Sequence, residues 1–341
     1  MRRTLFASAL SLLLAAAAQT AGVASASGAR TSGAQGSPVA RAGVPLPASD
    51  AVLRADLKRL LTEAAPRALA GDPAKLAQMN ADVEQFKART GLDARDFDTV
   101  TVGARITKLP SGATKIGSLV AIARGTFRPD AVVSAVRAAA KGGLSEQKYG
   151  GQTIYVISVN DRIRVFGLAK MRVGDLAVAV LDQATLAVGE PAAVRGAIDA
   201  AVRGANGHVD QALINSVQTP DLVAFAGNVP PGAFGGLETG LPNVDRAVAS
   251  IRAFRGAVAQ TPAGFLLTTV LRTQTAGDAK QLFDTAQALK QVAPGLISMS
   301  GEKGKFALRA VNNLSITNAG NEVQLRLDLP QGDIAELLRA L

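Results

Sequence analysis

The 341-residue chain has no cysteine and no tryptophan, one histidine and two tyrosines. Each scarcity removes a class of chemistry. Without cysteine, no disulfide braces the fold, no lipid is attached at a thiol, and no thiolate ligates a metal. With His208 as the only imidazole, the usual zinc ligand sets are excluded as well. A Ser-His-Asp arrangement would rest wholly on His208, which sits in Ala205-Asn206-Gly207-His208 as a loop or helix-entry residue. Aromatic residues make up 4% of the chain. The stacking platforms of single-strand binders are therefore scarce, no specific nucleic acid is expected as a partner, and a sugar-binding cleft is disfavoured. Beyond the N-terminus, no apolar run approaches the ~18 residues that a bilayer-crossing helix needs.

What is present begins with MRRTLFASALSLLLAAAAQTAGVASA. Arg2-Arg3, the apolar stretch Leu5 to Ala18 and the small residues Ala24-Ser25-Ala26 form the three parts of a secretory signal peptide, residues 1–26. The arginine pair also opens a twin-arginine reading, but the flanking residues of that signal are incomplete and general secretion is favoured. The mature chain is expected to be soluble, with no transmembrane segment, in a periplasm or outside the cell. The full chain carries 37 Lys+Arg against 27 Asp+Glu. Removing Arg2 and Arg3 leaves 35 against 27, a net charge of +8. Such a chain meets anionic polymers or lipid headgroups readily, although a solvated arginine-rich surface explains the same balance.

Residues 27–47, SGARTSGAQGSPVARAGVPLP, hold few large apolar side chains and read as a disordered tether. A helical segment, 48–96, follows. Ser49-Asp50 would cap a first helix with Val52, Leu53, Leu57, Leu60 and Leu61 on one face. Asp72-Pro73 opens a second, along Leu76, Met79, Val83 and Phe86, and Gly91 ends it. From Phe97 the period changes to two. FDTVTVGARITKL and KIGSLVAIAR flank Leu109-Pro110-Ser111-Gly112 as antiparallel strands. A helix from Pro129-Asp130, the strands QTIYVIS, RIRVFGL, LAVAVL and TLAVG, and a helix from Pro191 complete a first lobe, 97–227.

The connector 228–243, NVPPGAFGGLETGLPN, joins this to a second lobe, 244–341. There VASIRAFRGAVAQ and GFLLTTVLRTQ read as strands, although Val248, Ile251 and Phe254 also fit a helix. A helix over Ala276 to Val292, the strands GKFALRA, LSITNA and EVQLRLDL, and a helix from Gln331 to Leu341 follow. LAVAVLDQATLAVGEPAAVRGAI aligns element by element with LSITNAGNEVQLRLDLPQGDIAELL, the mark of a duplicated lobe. The expected fold is α+β: two related lobes, each a largely antiparallel sheet with helices on one face.

ISMSGEKGKFAL, residues 297–308, resembles a phosphate-cradling loop. The pattern fails because Met299 stands where its first glycine belongs and Phe306 where its hydroxyl belongs. The repeat instead sets Glu302-Lys303-Gly304-Lys305-Phe306 against Asp161-Arg162-Ile163-Arg164-Val165 and predicts the basic tip of a hairpin in both lobes. Arg162, Arg164, Lys303 and Lys305 are accordingly candidate anion-binding residues. Phe234 and Leu237 in the connector are candidates for a flap over an interlobe groove, the alternative being a simple connector.

GLDARDFDTVTVGARI, GTFRPDAVVSAV, YGGQTIYVIS and TLAVGEPAAVRGAIDAA together resemble a loose group of exported bacterial proteins of unknown function, each with two similar α+β lobes. The resemblance, over roughly residues 50–341, implies architecture only. No catalytic motif stands beside it. Asp93, Asp96 and Asp98 lack the loop of a calcium site and read as a helix-to-strand join. Ser145-Glu146-Gln147-Lys148 and Ser300-Gly301-Glu302-Lys303 spell S-x-x-K without the companion elements of penicillin-recognising enzymes. The expectation is a non-enzymatic envelope protein, without a cofactor, that binds a protein or ligand through an interlobe surface. Alternatives are a basic binder of anionic polymers or lipid headgroups, and a hydrolase with dispersed carboxylates.

Overall fold

The computed structural model describes residues 43–109, 114–140, 143–165, 169–203, 209–234, 240–298 and 302–333. The predicted signal peptide, most of the predicted tether, His208, Leu237 and the end of the last predicted helix lie outside them. Within them the chain builds one antiparallel sheet of twelve strands. Its spatial order is β11-β12-β10-β9-β8-β1-β2-β3-β7-β6-β5-β4. The fold class is α+β, as read from the sequence, but the two halves share one sheet instead of owning one each.

The first half begins with β1 (Ala51–Asp56), a helical stretch α1 through Leu57–Arg59, Leu60–Ala64 and Ala65–Ala68, and α2 (Pro73–Thr90). Then come β2 (Phe97–Lys108), β3 (Thr114–Gly125), α3 (Pro129–Ala140), β4 (Leu144–Tyr149), β5 (Gln152–Val165), β6 (Ala169–Asp182), β7 (Thr185–Gly189) and α4 (Pro191–Arg203). The second half comprises α5 (Gln211–Val217), β8 (Val223–Asn228), α6 (Pro242–Ala249), β9 (Ile251–Thr261), β10 (Gly264–Thr273), α7 (Ala276–Ser298), α8 (Glu302–Asn313), β11 (Leu314–Ala319) and β12 (Glu322–Pro330).

Residues 51–56 are a strand, not the start of the predicted helix. β1 is flanked by β2 and β8 and buried from both sides: Val52 joins one core cluster and Ala55 another. A central strand covered on both faces is apolar on both, so its pattern imitates a helical stripe. Helix starts only at Leu57, where Asp56 accepts a hydrogen bond from the Arg59 N–H at 3.0 Å. Ser49-Asp50 does different work. The Asp50 carboxylate accepts from the Ile106 N–H at 2.8 Å, and its carbonyl accepts from the Asn228 N–H at 2.7 Å.

The end of the expected tether is also ordered. Leu46 is 1% exposed and packs with Val52, Val120 and Ile122 beneath α4 and α5. The strap through Ser49 lies directly over β2. A Cβ at Gly103 would stand 2.5 Å from Ser49 Oγ and 3.0 Å from Leu46 Cδ2, so the bare glycine makes the room.

Outward from the centre the two halves match. The order β1-β2-β3-β7-β6 on one side is answered by β8-β9-β10-β12-β11 on the other. They differ between the inner and outer hairpins, where the first half inserts β4 and β5 and the second inserts α8. Thus 302–313 is a helix, and where a hairpin is predicted at 297–308 the described residues are the end of α7 and the start of α8, with 299–301 outside them. Glu302, Lys303, Lys305, Ala307, Leu308, Arg309 and Ala310 are strong helix formers, and this local preference wins over the repeat.

Helices cover both faces of the first half rather than one. Val120 and Ile122 meet Val194, Ala197 and Ile198 of α4, while Ala121 and Ala123 meet Val132, Ala135 and Val136 of α3. In the second half, α6 and α7 share one face: Ala247, Ala279 and Leu282 pack on Ile316 and Val323. LAVAVL and GFLLTTVL meet helices as expected, and Leu267, at 4% exposure, sits among Val223, Phe265 and Leu327.

Two substitutions test this core. Leu267→Asp places a carboxylate in that apolar cluster and should cost ~3 kcal/mol or more, read as loss of the cooperative melt. Leu46→Ala should cost about 2–4 kcal/mol. A free tether at residue 46 would instead leave the melting temperature unchanged.

Candidate functional site

The line where the halves meet holds no groove within the sheet. β1 pairs with β8 from Ala51↔Gly227 to Ala55↔Val223, a continuous antiparallel ladder of main-chain hydrogen bonds. The first part of the connector, to Phe234, likewise packs down. Val229 and Ala233 are buried, Phe234 lies against the cluster of Ala247, Ile251 and Leu282, and Thr114 Oγ1 donates to the Ala233 carbonyl. Phe234 therefore belongs to the core margin. Its proposed companion Leu237 lies outside the described residues.

The acidic cluster is structural. Asp93 caps the turn Ala94–Asp96 by accepting from the Arg95 N–H at 3.0 Å, and its other oxygen accepts from Lys87 Nζ at 3.0 Å. Burial alone would raise the Asp93 carboxyl, but the Arg95 N–H, the Lys87 ammonium and the Arg95 charge hold it below its ordinary value. Asp98 pairs with Lys58 at 3.5 Å. Among the described residues, no three His, Asp or Glu side chains gather as metal ligands. Ser145 and Lys148 lie in β4, in strand geometry rather than one helical turn apart.

One face of β9, β10 and β12 lies opposite α6 and α7, and beside Leu266, Val270 and Ala257 it is rich in polar residues. It carries Arg255, Thr268, Glu322, Gln324, Arg326 and Asp328, which the cross-strand registers place on one side. Arg255 clamps Glu322 through two hydrogen bonds of 2.8 and 2.9 Å, and Arg326 pairs with Asp328 at 3.1 and 3.2 Å. An antiparallel sheet tolerates water on one face, and paired charges suit it to that. The Arg255 guanidinium holds the Glu322 carboxyl below its ordinary range.

The four basic candidates do not form equivalent pairs. Lys303 and Lys305 fall in the first turns of α8, two residues apart on a helix and thus on different faces. Arg162 and Arg164 fall in β5, where the sequence alone missed the length of the hairpin. β4 pairs with β5 only as far as Ile157, and β7 pairs with β6 only from Ala177. Yet β5 and β6 remain paired out to Val165↔Ala169. Among the described residues, the segment beyond Ile157 and Leu176 is a two-stranded ribbon without a third strand. From Asp175 to Ala169 it spans about 20 Å at ~3.3 Å per residue. At its root Ser158 Oγ donates to Asp175 Oδ1 at 2.9 Å.

The register decides what this ribbon carries. Arg162 stands opposite Arg172, and Arg164 opposite Lys170. Opposed residues share a face, as do alternate residues of one strand. Four cationic residues therefore occupy one ribbon face, at about 5 Å across and about 7 Å along. The other face takes Ile163 opposite Met171, Val165 opposite Ala169, and Asp161 opposite Val173. The sequence alone does not bring in Arg172 and Lys170, because RIRVFGL and LAVAVL read as separate short strands with AKMRVGD between them. The alternation R-I-R-V against K-M-R-V was the available signal.

No protein-family model matches the chain, and no curated protein matches it. Two solved structures of TP0453 are similar in fold. Crystal form III has 14% identity and a TM-score of 0.46, covering 89% of this chain and 99% of that one. Crystal form I has 12% identity and a TM-score of 0.42, covering 86% and 94%. The likeness is one of architecture.

The Arg255–Glu322 clamp predicts an acid dependence. Because folding lowers the Glu322 pKa, its contribution is complete above the ordinary carboxylate range and fades as pH falls through that range. Solvent screening keeps the effect below about 1 kcal/mol. The melting temperature of Glu322→Gln should fall less than that of the parent chain between about pH 7 and about pH 3. Parallel curves would remove the clamp from the acid response.

Proposed function

We propose that this is an exported, non-enzymatic binding protein that engages anionic partners through the β5–β6 ribbon. Export rests on the residues 1–26 signal pattern, and the non-enzymatic reading rests on the absence of cysteine and the single histidine. The observation that carries the binding site is the register of Arg162 with Arg172 and Arg164 with Lys170. Like charges set directly opposite on a ribbon destabilise it, and a two-stranded ribbon is marginal by itself. An anion lying across the four cations adds attractions that offset this repulsion. Binding and ordering of the ribbon then support each other.

The ladder of β1 and β8 makes the seam between the halves a poor competitor for this role, since a partner there would have to open the sheet. Lys303 and Lys305 on α8 lack the ribbon's register and are set aside as a second anion site.

Replacing Arg162, Arg164, Lys170 and Arg172 with glutamine should abolish retention on immobilised heparin at moderate salt. The slope of log affinity against log salt should lose about 3 units in magnitude, close to one per cation removed. Lys303→Gln with Lys305→Gln should leave both nearly unchanged. Wild-type retention by the fourfold variant, at an unaltered melting temperature, would refute the site.

A further inference from the structure

The ribbon has a second face, and anion binding alone leaves it without a purpose. We infer that the ribbon docks on the surface of an anionic lipid bilayer, with Ile163, Val165, Ala169, Met171 and Val173 taking the acyl side of the interface and the four cations meeting headgroup phosphates. The inference rests on the anion-binding reading above and names its partner.

The argument is one of two opposed faces and one occupant. Five of the six residues on the face opposite the cations are apolar, Asp161 at the root being the exception. β4 and β7 both stop short of this segment, so among the described residues no neighbouring strand pairs with it. A hydrated polymer such as a nucleic acid or a sulfated glycan satisfies the cationic face only. A bilayer interface satisfies both, because it offers an apolar layer and a plane of phosphates within a few ångströms of each other. The ribbon's length of about 20 Å fits a segment lying in the interface plane, whereas a two-stranded ribbon with open edges cannot cross the hydrocarbon core. The site therefore implies peripheral attachment. The cation spacing of about 5 by 7 Å brings neighbouring residues within reach of adjacent headgroups rather than of one isolated phosphate.

Co-sedimentation with vesicles tests this, using phosphatidylcholine alone and phosphatidylcholine mixed with phosphatidylglycerol, with heparin retention measured in parallel. The mature chain should bind the mixed vesicles and leave the neutral ones free. The fourfold glutamine variant should lose at least about 100-fold in vesicle affinity, given roughly a tenfold contribution or somewhat less from each cation near a charged membrane. Ile163→Ser combined with Met171→Ser should lose at least tenfold on vesicles yet keep wild-type heparin retention. That separation is specific to lipid.

A second readout does not depend on the stability of those variants. The chain has no tryptophan, so Val165→Trp introduces a unique reporter. Its emission should shift to the blue with mixed vesicles and stay unchanged with heparin. Three other results overturn the lipid assignment. The first is heparin binding without vesicle binding, which identifies an anionic polymer as the partner. The second is serine substitution without effect on vesicles, and the third is a tryptophan that remains water-exposed on bound vesicles. Loss of both heparin and vesicle binding in the wild type would instead bring down the anion-binding reading beneath it.

Discussion

The antiparallel ladder between β1 and β8 is the constraint on which the molecule depends. Each half has its own hairpins and helices, but neither has a free inner edge, because the innermost strand of one is the neighbour of the innermost strand of the other. Main-chain hydrogen bonds at that line cannot be satisfied by water without opening the cores on both sides. Val52, Ala224 and Ala226 belong to one cluster spanning the seam, and Ala55 with Val223 and Val258 to another on the opposite face. The halves are therefore one folding body. Hinge motion between them, a natural expectation for two lobes and a connector, would have to break a ladder buried from above and below.

That constraint also explains where variation is tolerated. Inner strands β2, β3, β9 and β10 are pinned between neighbours, so the two halves agree in their order out to β6 and β11. Beyond the pinned strands they diverge, with β4 and the long β5–β6 hairpin in one half and α8 in the other. The candidate binding element arises in this divergent zone. A scaffold of matched strands carries a candidate site that breaks the match.

Local signals in the sequence were legible where one interaction decides the structure. Asp72, Pro73 and Gly91 bound α2 as read: the Asp72 side chain accepts from the Lys75 N–H, and Gly91 takes a left-handed conformation at φ 69°. Signals failed where neighbours decide. Val52, Leu53, Leu57 and Leu60 look like a helical stripe until β2 and β8 close on both sides of 51–56. GKFALRA alternates like a strand, yet its residues favour helix and it lies within α8. Half of the cationic site was visible as Arg162 and Arg164. Arg172 and Lys170 became part of it only through register, which no single strand encodes.

The position of β1 has a consequence for how the chain reaches its native state. The first strand in sequence lies mid-sheet, and its partner β8 follows only after all of β2 to β7 and α5. A chain emerging from its N-terminus therefore carries a central strand that stays half-satisfied until Val223 to Asn228 arrive. Closure of the sheet is a late, long-range event, and such topologies fold slowly.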